Sequence, residues 1–489
     1  MKIFTKSLMM MCAIASVSMA TAAEYVTLGD GTNYTMESLS AIEGSGIVKD
    51  TDGVYIMNND VTISAGDSFT MESGVIVKMG NATSLILSGD ANFDCTTTTT
   101  FTRNAETDAP KGVYVNSDLT DVTFQFTNIN FEYAGLRAFI TASLEMNECS
   151  FSLNNGASSS SAAFAINQSG GNFTVTNCTF SENEVPAIGT GANVSVSLTI
   201  EDCTFIDNNT DNSNKPQLNL TVGGDKDIII KNSVLTGAQR TKVGGISVSN
   251  LMSIAGTNNV IIEGNDIREH RYAITTMGPM NARIINNVMI DNKYETNPMN
   301  GGSGISIYDT SYAQDVYVEG NHIEGSLWGI TVIGGKNVNI GKTEVPSTAD
   351  DYNPGKNVFI NNGNGGVLYD LYNNGSNTIY AQGNTWNVAN QTADEIETVI
   401  FHKNDDASLG EVIYMDNSGL ESNISVKTWF DSINKQIVGL DNIDTIYVYA
   451  TNGVLVAQVV VENGIADMSN IAAGTYIAQA GKQSIKVVL

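Results

Sequence analysis

Between residues 126 and 386 one arrangement of apolar and polar positions keeps returning. An alternating strand runs into a short polar bend, and an apolar residue follows two places after the bend. It reads FTNINF at 126–131, NECSF at 147–151, VTNCTF at 175–180, IEDCTF at 200–205 and IKNSVL at 230–235. It continues as IEGNDI at 262–267, IINNVM at 284–289, VEGNHI at 318–323 and AQGNTW at 381–386. Aligned, the bends form a column: Ile129, Cys149, Cys178, Cys203, Ser233, Asn265, Asn287, Asn321 and Asn384. Steps of 20 to 34 residues separate its members. The last step, of 63 residues, holds about two coils, one near KNVFINNG at 356–363.

A period of that length, with several short strands and no helical periodicity, predicts an all-β chain wound as a parallel β-helix. Each coil then rests on the next at ~4.8 Å, so equivalent residues stack. Stacked Asn side chains can hydrogen-bond from rung to rung. The apolar partners Phe131, Phe151, Phe180, Phe205, Leu235, Ile267, Met289, Ile323 and Trp386 are expected to fill the core. A second apolar strand is expected at AFAI (163–166), AITTM (273–277), GISIY (304–308), GITVI (329–333) and GVLYD (366–370). The thiols of the column read as small buried hydrophobes, because in-register neighbours on parallel strands rarely present disulfide geometry.

Around this array the chain divides further. Residues 1–23 have the basic start, apolar stretch and small-x-small end of a secretory leader. Residues 24–110 read as a cap and first coils, 111–403 as the regular β-helix, 404–423 as a linker and 424–489 as a small β-sandwich. In the last segment short strands are punctuated by Asn452-Gly453, Asn463-Gly464 and Ala473-Gly474. The net charge of −28 argues against tracking a phosphate backbone, so no nucleic-acid partner is expected. No other segment is apolar enough to span a membrane as a helix, and a monomer is expected.

The x-Asn-x-Ile and Gly-Ile rhythm resembles the right-handed parallel β-helix proteins of the pectate-lyase-like superfamily over roughly residues 50–400. The end of the chain, IYVYATNGVLV (446–456), GTYIAQAG (474–481) and IKVVL (485–489), resembles the C-terminal sorting domain of type IX secretion cargo from Bacteroidetes. That resemblance implies passage through the outer membrane by way of the secretion machinery, and a secreted or cell-surface address. The catalytic elements of the polygalacturonase-like hydrolases and the pectate lyases in that superfamily are not matched.

The candidate chemistry is local. REHRY (268–272) is the densest basic cluster, with Arg268, His270 and Arg271 followed by Tyr272. A long insertion at 291–303 adds Lys293 and Tyr294, the next strand ends in Tyr308 and Asp309, and Trp328 stands at the equivalent bend two coils on. Bends at one corner of neighbouring coils should share an edge. There Arg268, His270, Arg271 and Asp309 are candidate catalytic groups, and Tyr272, Lys293, Tyr294, Tyr308 and Trp328 candidate sugar contacts. With three histidines no His-rich metal site is expected. No cofactor is expected, although calcium on loop carboxylates stays open. Three functions follow: polysaccharide binding along the flank, a polysaccharide lyase or glycoside hydrolase centred on 268–309, or an adhesin.

Overall fold

The computed structural model describes residues 24–157, 161–192, 194–250, 254–295, 297–309, 311, 313–415, 428–440, 443–481 and 483–489. The leader at 1–23 and the segment 416–427, which spans the end of the linker and the first residues of the C-terminal module, lie outside them.

One coil shows the winding. Asn258–Glu263 runs along the back, the chain bends, and Asp266–Arg268 continues. A connector leads to Ile274–Met277 on the front, and Met280–Ile285 opens the next coil. Ile262 thus lies beside Ile284 and Ile284 beside Val318, while on the front Ile274 pairs with Ile305 and Ile305 with Ile330. Repetition builds a front sheet of 14 parallel strands, from Glu24–Val26 to Ile400–Phe401. At ~4.8 Å per strand it is roughly 60 Å long. In the regular coils the back sheet takes two strands from each. The first coil departs from this, with the short helix Met36–Ser40 and the antiparallel pair Ile47–Lys49 and Tyr55–Met57.

The back bend is made the same way on successive rungs. The residue before the column adopts a left-handed backbone, with φ of 54° at Glu148, 53° at Asn177, 54° at Asp202, 50° at Asn232 and 56° at Asn286. Gly264 and Gly320 take the same position with φ of 69° and 65°. Gly, Asn and Asp tolerate that conformation best, which explains why they dominate the position. The bend aims the next side chain inward, where it must find partners. Asn287 Nδ2 donates to the Ile262 carbonyl at 2.9 Å and to Asn321 Oδ1 at 3.0 Å. Its own Oδ1 accepts from Asn265 N at 3.0 Å and from Asn265 Nδ2 at 2.9 Å. The ladder runs on through Asn357 to Asn384, so Asn357 is the rung inside the long gap. Cys149, Cys178 and Cys203 are free and buried, as the column reading expected. Hydrogen bonding with its two thiol neighbours and burial push the Cys178 thiol well above its ordinary range.

Beside the ladder the apolar column fills the core. Phe180 stacks on Phe151 with centroids 4.6 Å apart and on Phe205 at 5.2 Å. Phe359 and Trp386 close the column at 5.0 Å. Fully burying such side chains contributes about 1.5–3 kcal/mol each.

Two boundaries differ from the sequence reading. GVLYD is not a core strand: Val367 and Leu368 are exposed on a hairpin with Gly363–Asn364, and the front strand is Leu371–Asn373. The apolar pair Val-Leu mimics a strand, but register with Ile330 is taken by Leu371. Residues 404–413, assigned to the linker, complete the last coil, because Val412–Ile413 pairs in parallel with Ile379–Tyr380. The C-terminal module forms seven antiparallel strands from Trp429–Asp431 to Gln483–Val488 around its own core of Ile437, Ile446, Val448, Ala478 and Val487. No helix among the described residues is long and apolar enough to cross a membrane.

Candidate functional site

The connectors between each back strand and the following front strand all leave the same corner. The segments 182–187, 207–217, 237–245, 269–273, 291–302 and 325–327 therefore stand side by side as a wall along one edge of the front sheet. The longest of them is tied to both neighbours. Arg271 donates to the Asn300 carbonyl and to Asn214 Oδ1, Trp328 Nε1 donates to the Pro298 carbonyl at 2.8 Å, and Leu327 N donates to the Gly302 carbonyl at 2.7 Å.

Several of the predicted chemical residues serve this architecture. His270 was expected on an exposed bend; it is 1% exposed and belongs to a second internal ladder. Asn154, Asn183 and Asn208 link in series, Asn208 Nδ2 donates to Gln217 Oε1 at 2.7 Å, and Gln217 Nε2 meets His270 Nε2 at 2.7 Å. His270 Nδ1 faces Asn292 Oδ1 at 3.3 Å, which assigns the neutral tautomer with the proton on Nδ1. Burial pushes its pKa down to about 4. Both ring nitrogens are engaged and shielded from solvent, so the imidazole meets no ligand on the surface. Asp309 is also buried, where it accepts from the backbone of Ser311, Ala313 and Gln314 and holds the turn after its strand. Arg271 pairs with Glu295 at 3.3 Å, and Lys293 pairs with Asp291. The Tyr272 ring packs on Gly244, where a Cβ would meet it at 2.2 Å, and burial pushes the phenol up to about 12. Tyr294 is half-buried on the insertion.

Arg268 leaves the cluster altogether. It lies on the opposite side of the bend, 6% exposed, beneath the C-terminal module. It pairs with Asp266 at 2.6 Å and with Asp431 of the module at 2.9 Å, and Ser432 Oγ donates to Asp266 at 2.6 Å. Trp429 rests on His322 with centroids 4.7 Å apart. A cavity of about 380 Å³ remains between the two bodies, with Asn286, His322, Trp429 and Lys486 in its lining. Breaking a buried pair by removing one partner leaves charge uncompensated. Arg268→Met is therefore expected to release the module: small-angle scattering should show a larger radius of gyration, while the unfolding midpoint of the coils stays unchanged.

What remains is the outward side of the front sheet, where Asn219, Ser306, Tyr372 and Phe401 are half-buried and Ala165, Gly189, Ser247, Thr275 and Thr331 are buried by what stands beside them. From Ala165 to Phe401 the outward positions carry no charged side chain. One row reads Ala165, Gly189, Asn219, Ser247, Thr275, Ser306, Thr331, Tyr372 and Phe401. Its neighbour includes Met277, Tyr308 and Ile333, with Tyr308 42% exposed. The small residues make a floor, the connectors a wall, and aromatic rings stand at one end. Trp328 contacts Tyr369 at 4.7 Å and Tyr372 at 5.3 Å, and Tyr372 meets Phe401 at 5.2 Å. Trp328 and Tyr308 from the sequence reading thus border this trough. Tyr369, Tyr372, Phe401 and the hydroxyl floor were missed. The signal for the floor was the Ser or Thr between the apolar residues of AITTM, GISIY and GITVI.

Among the described residues Glu397, His402 and Asp405 bring potential metal-ligand atoms within 4.8 Å of one another. Their partners are already set. His402 Nδ1 accepts from Val412 N at 2.9 Å, Nε2 meets Glu397 at 3.0 Å, and Asp405 accepts from His402 N at 2.9 Å. The group fastens the last coil.

No protein-family model matches the chain, and no curated protein matches it. Among solved structures, the periplasmic alginate epimerase AlgG is similar at 12% identity, over 78% of this chain and 83% of that one, with a TM-score of 0.42. A double mutant of the same enzyme gives 11% identity, 79% and 84% coverage and a TM-score of 0.44. At such identity the likeness is one of fold alone.

Proposed function

We propose that the front trough binds a polysaccharide, on a protein that is exported and held at the cell surface through its C-terminal module. The observation that carries this reading is the half-buried Trp328–Tyr372 platform at the end of an uncharged hydroxyl floor. Aromatic faces take the apolar face of a sugar ring, and hydroxyl and amide groups match its rim. A floor on parallel strands repeats at ~4.8 Å and suits an extended polymer. The leader-like segment 1–23 and the terminal strand pattern support the surface address. The enclosed imidazole of His270 and the pairing of Arg268 and Arg271 favour retention over bond cleavage.

A panel of immobilised plant, host and bacterial glycans tests this. The wild type is expected to be retained by at least one glycan without releasing reducing or unsaturated ends. Trp328→Ala should weaken that retention roughly threefold to tenfold, as loss of a stacking contact of about 0.5–1.5 kcal/mol implies. Retention that ignores both Trp328→Ala and Tyr372→Ala would place the ligand elsewhere. Soluble product would overturn the binding reading.

A further inference from the structure

The charge distribution around the trough narrows the ligand. We propose that the trough takes an uncharged polysaccharide and discriminates against polyuronates and other polyanionic glycans. This rests on the polysaccharide reading above.

Three observations lead there. First, the floor is neutral over nine successive front strands, from Ala165 to Phe401. Carboxylate-bearing sugars are normally met by Arg or Lys, which supply charge-assisted and bidentate hydrogen bonds, and no such group faces outward there. Second, the cations that the sequence concentrates at 268–271 are committed elsewhere. Arg268 lies under the C-terminal module between Asp266 and Asp431, and Arg271 lies against Glu295 within the wall. Arg240, on the next connector, is held by Asp207 through two nitrogens at 2.7 and 2.8 Å. Across 182–187, 207–217, 237–245, 269–273 and 291–302 the wall carries seven carboxylates against five cations. The charges of the wall therefore sum to −2, on a chain of net charge −28. Third, the polar groups of the floor are neutral hydroxyls and amides. Thr275 is only 9% exposed, faces outward between Ser247 and Ser306, and makes no side-chain hydrogen bond to any described residue. A hydroxyl with capacity to donate and accept is a partner for a sugar hydroxyl. With a carboxylate it could form only a single neutral-donor bond, against the net negative charge of the chain.

The test compares two ligand groups on the full-length protein. Neutral polymers (a β-glucan, a xylan and a mannan) and polyanions (polygalacturonate, alginate and chondroitin sulfate) are titrated calorimetrically at low and at physiological salt. At least one neutral polymer is expected to bind with an affinity that changes less than about twofold with salt, since no ion pair is screened. Every polyanion should bind at least about tenfold more weakly at low salt, where repulsion is longest-ranged. Thr275→Lys should invert the order, lowering neutral affinity and raising that for polygalacturonate in a salt-sensitive way. A polyanion bound by the wild type as tightly as any neutral polymer would overturn this inference while leaving the polysaccharide trough standing. Binding of neither group would remove both.

Discussion

Asn287→Ala is expected to destabilise the coil stack by about 3–5 kcal/mol, as the loss of four buried hydrogen bonds, three of which leave their partner unpaired, implies. The side chain links three successive rungs. Its removal deprives the Ile262 carbonyl, the Asn265 backbone N–H and one hydrogen of the Asn265 amide of their partners. Each of these sits where water cannot replace the lost bond, so the desolvation cost is felt in full. The molecule supplies its own graded control. Ser233 occupies the same column and uses Oγ to accept from Cys203 N at 3.1 Å while donating to the Lys231 carbonyl. Asn287→Ser should therefore recover part of the loss by receiving the Asn265 N–H. Asn281→Ala removes an Asn from an exposed outer row and should change stability by less than about 0.5 kcal/mol. Urea unfolding followed by hydrogen exchange of the back strands distinguishes the three. Equal midpoints for Asn287→Ala and Asn281→Ala would show that the inner ladder is dispensable.

The second large effect concerns pH, and it is hidden in the wild type. Burial pushes His270 down to about 4 in the fold from 6.5, so its contribution is complete above pH 6.5 and is lost as pH falls toward 4. Asp370 is also enclosed in the core, accepting from Asn387 N at 2.8 Å and Asn362 Nδ2 at 3.4 Å, and burial pushes it up to about 7 from 3.8. Its contribution has the opposite sign: complete below pH 3.8 and lost as pH rises toward 7. Each spans about 3–4 kcal/mol, and between pH 4 and 6.5 their slopes oppose one another. Asp370→Asn should unmask the histidine, making stability fall with decreasing pH by about 1.4 kcal/mol per pH unit more steeply than in the wild type. His270→Gln should unmask the acid and shift the slope the other way by a similar amount. The double variant should return to the wild-type slope. Urea midpoints at pH 4.5, 5.5 and 6.5 decide the matter, and identical slopes in all four proteins would mean that neither group is held in its neutral form.

The coil array was legible because stacking forces equivalent residues into equivalent chemistry. A bend that turns inward on each rung selects Asn, Ser or Cys there, and a core position two residues later selects Phe or an aliphatic side chain. The second ladder follows the same law but was hidden. Its members Asn154, Asn183, Asn208 and Asn292 stand five residues after the column, where the adjoining connectors vary in length and break the visual alignment. Gln217 entering from a connector further disguises it. His270 lies at that same five-residue offset from Asn265, a signal that it faces the core. The basic cluster misled for a related reason. Adjacent residues around a bend point in different directions, so Arg268, His270 and Arg271 reach the docked module, the core and the wall respectively. The trough floor was hardest to read, because neutral Ser and Thr on a strand look like ordinary solvent-facing positions until a wall stands beside them.

That wall is built from connectors of very unequal length, from the three residues of 325–327 to the twelve of 291–302, while the strands they join keep strict register. Length at this corner is thus uncoupled from the winding of the chain. A lineage can deepen, shorten or re-pattern one side of the channel by insertion and deletion, one coil at a time, with no compensating change in the interior. Novel recognition in such a scaffold is expected to arise by indels rather than by substitution of the strands.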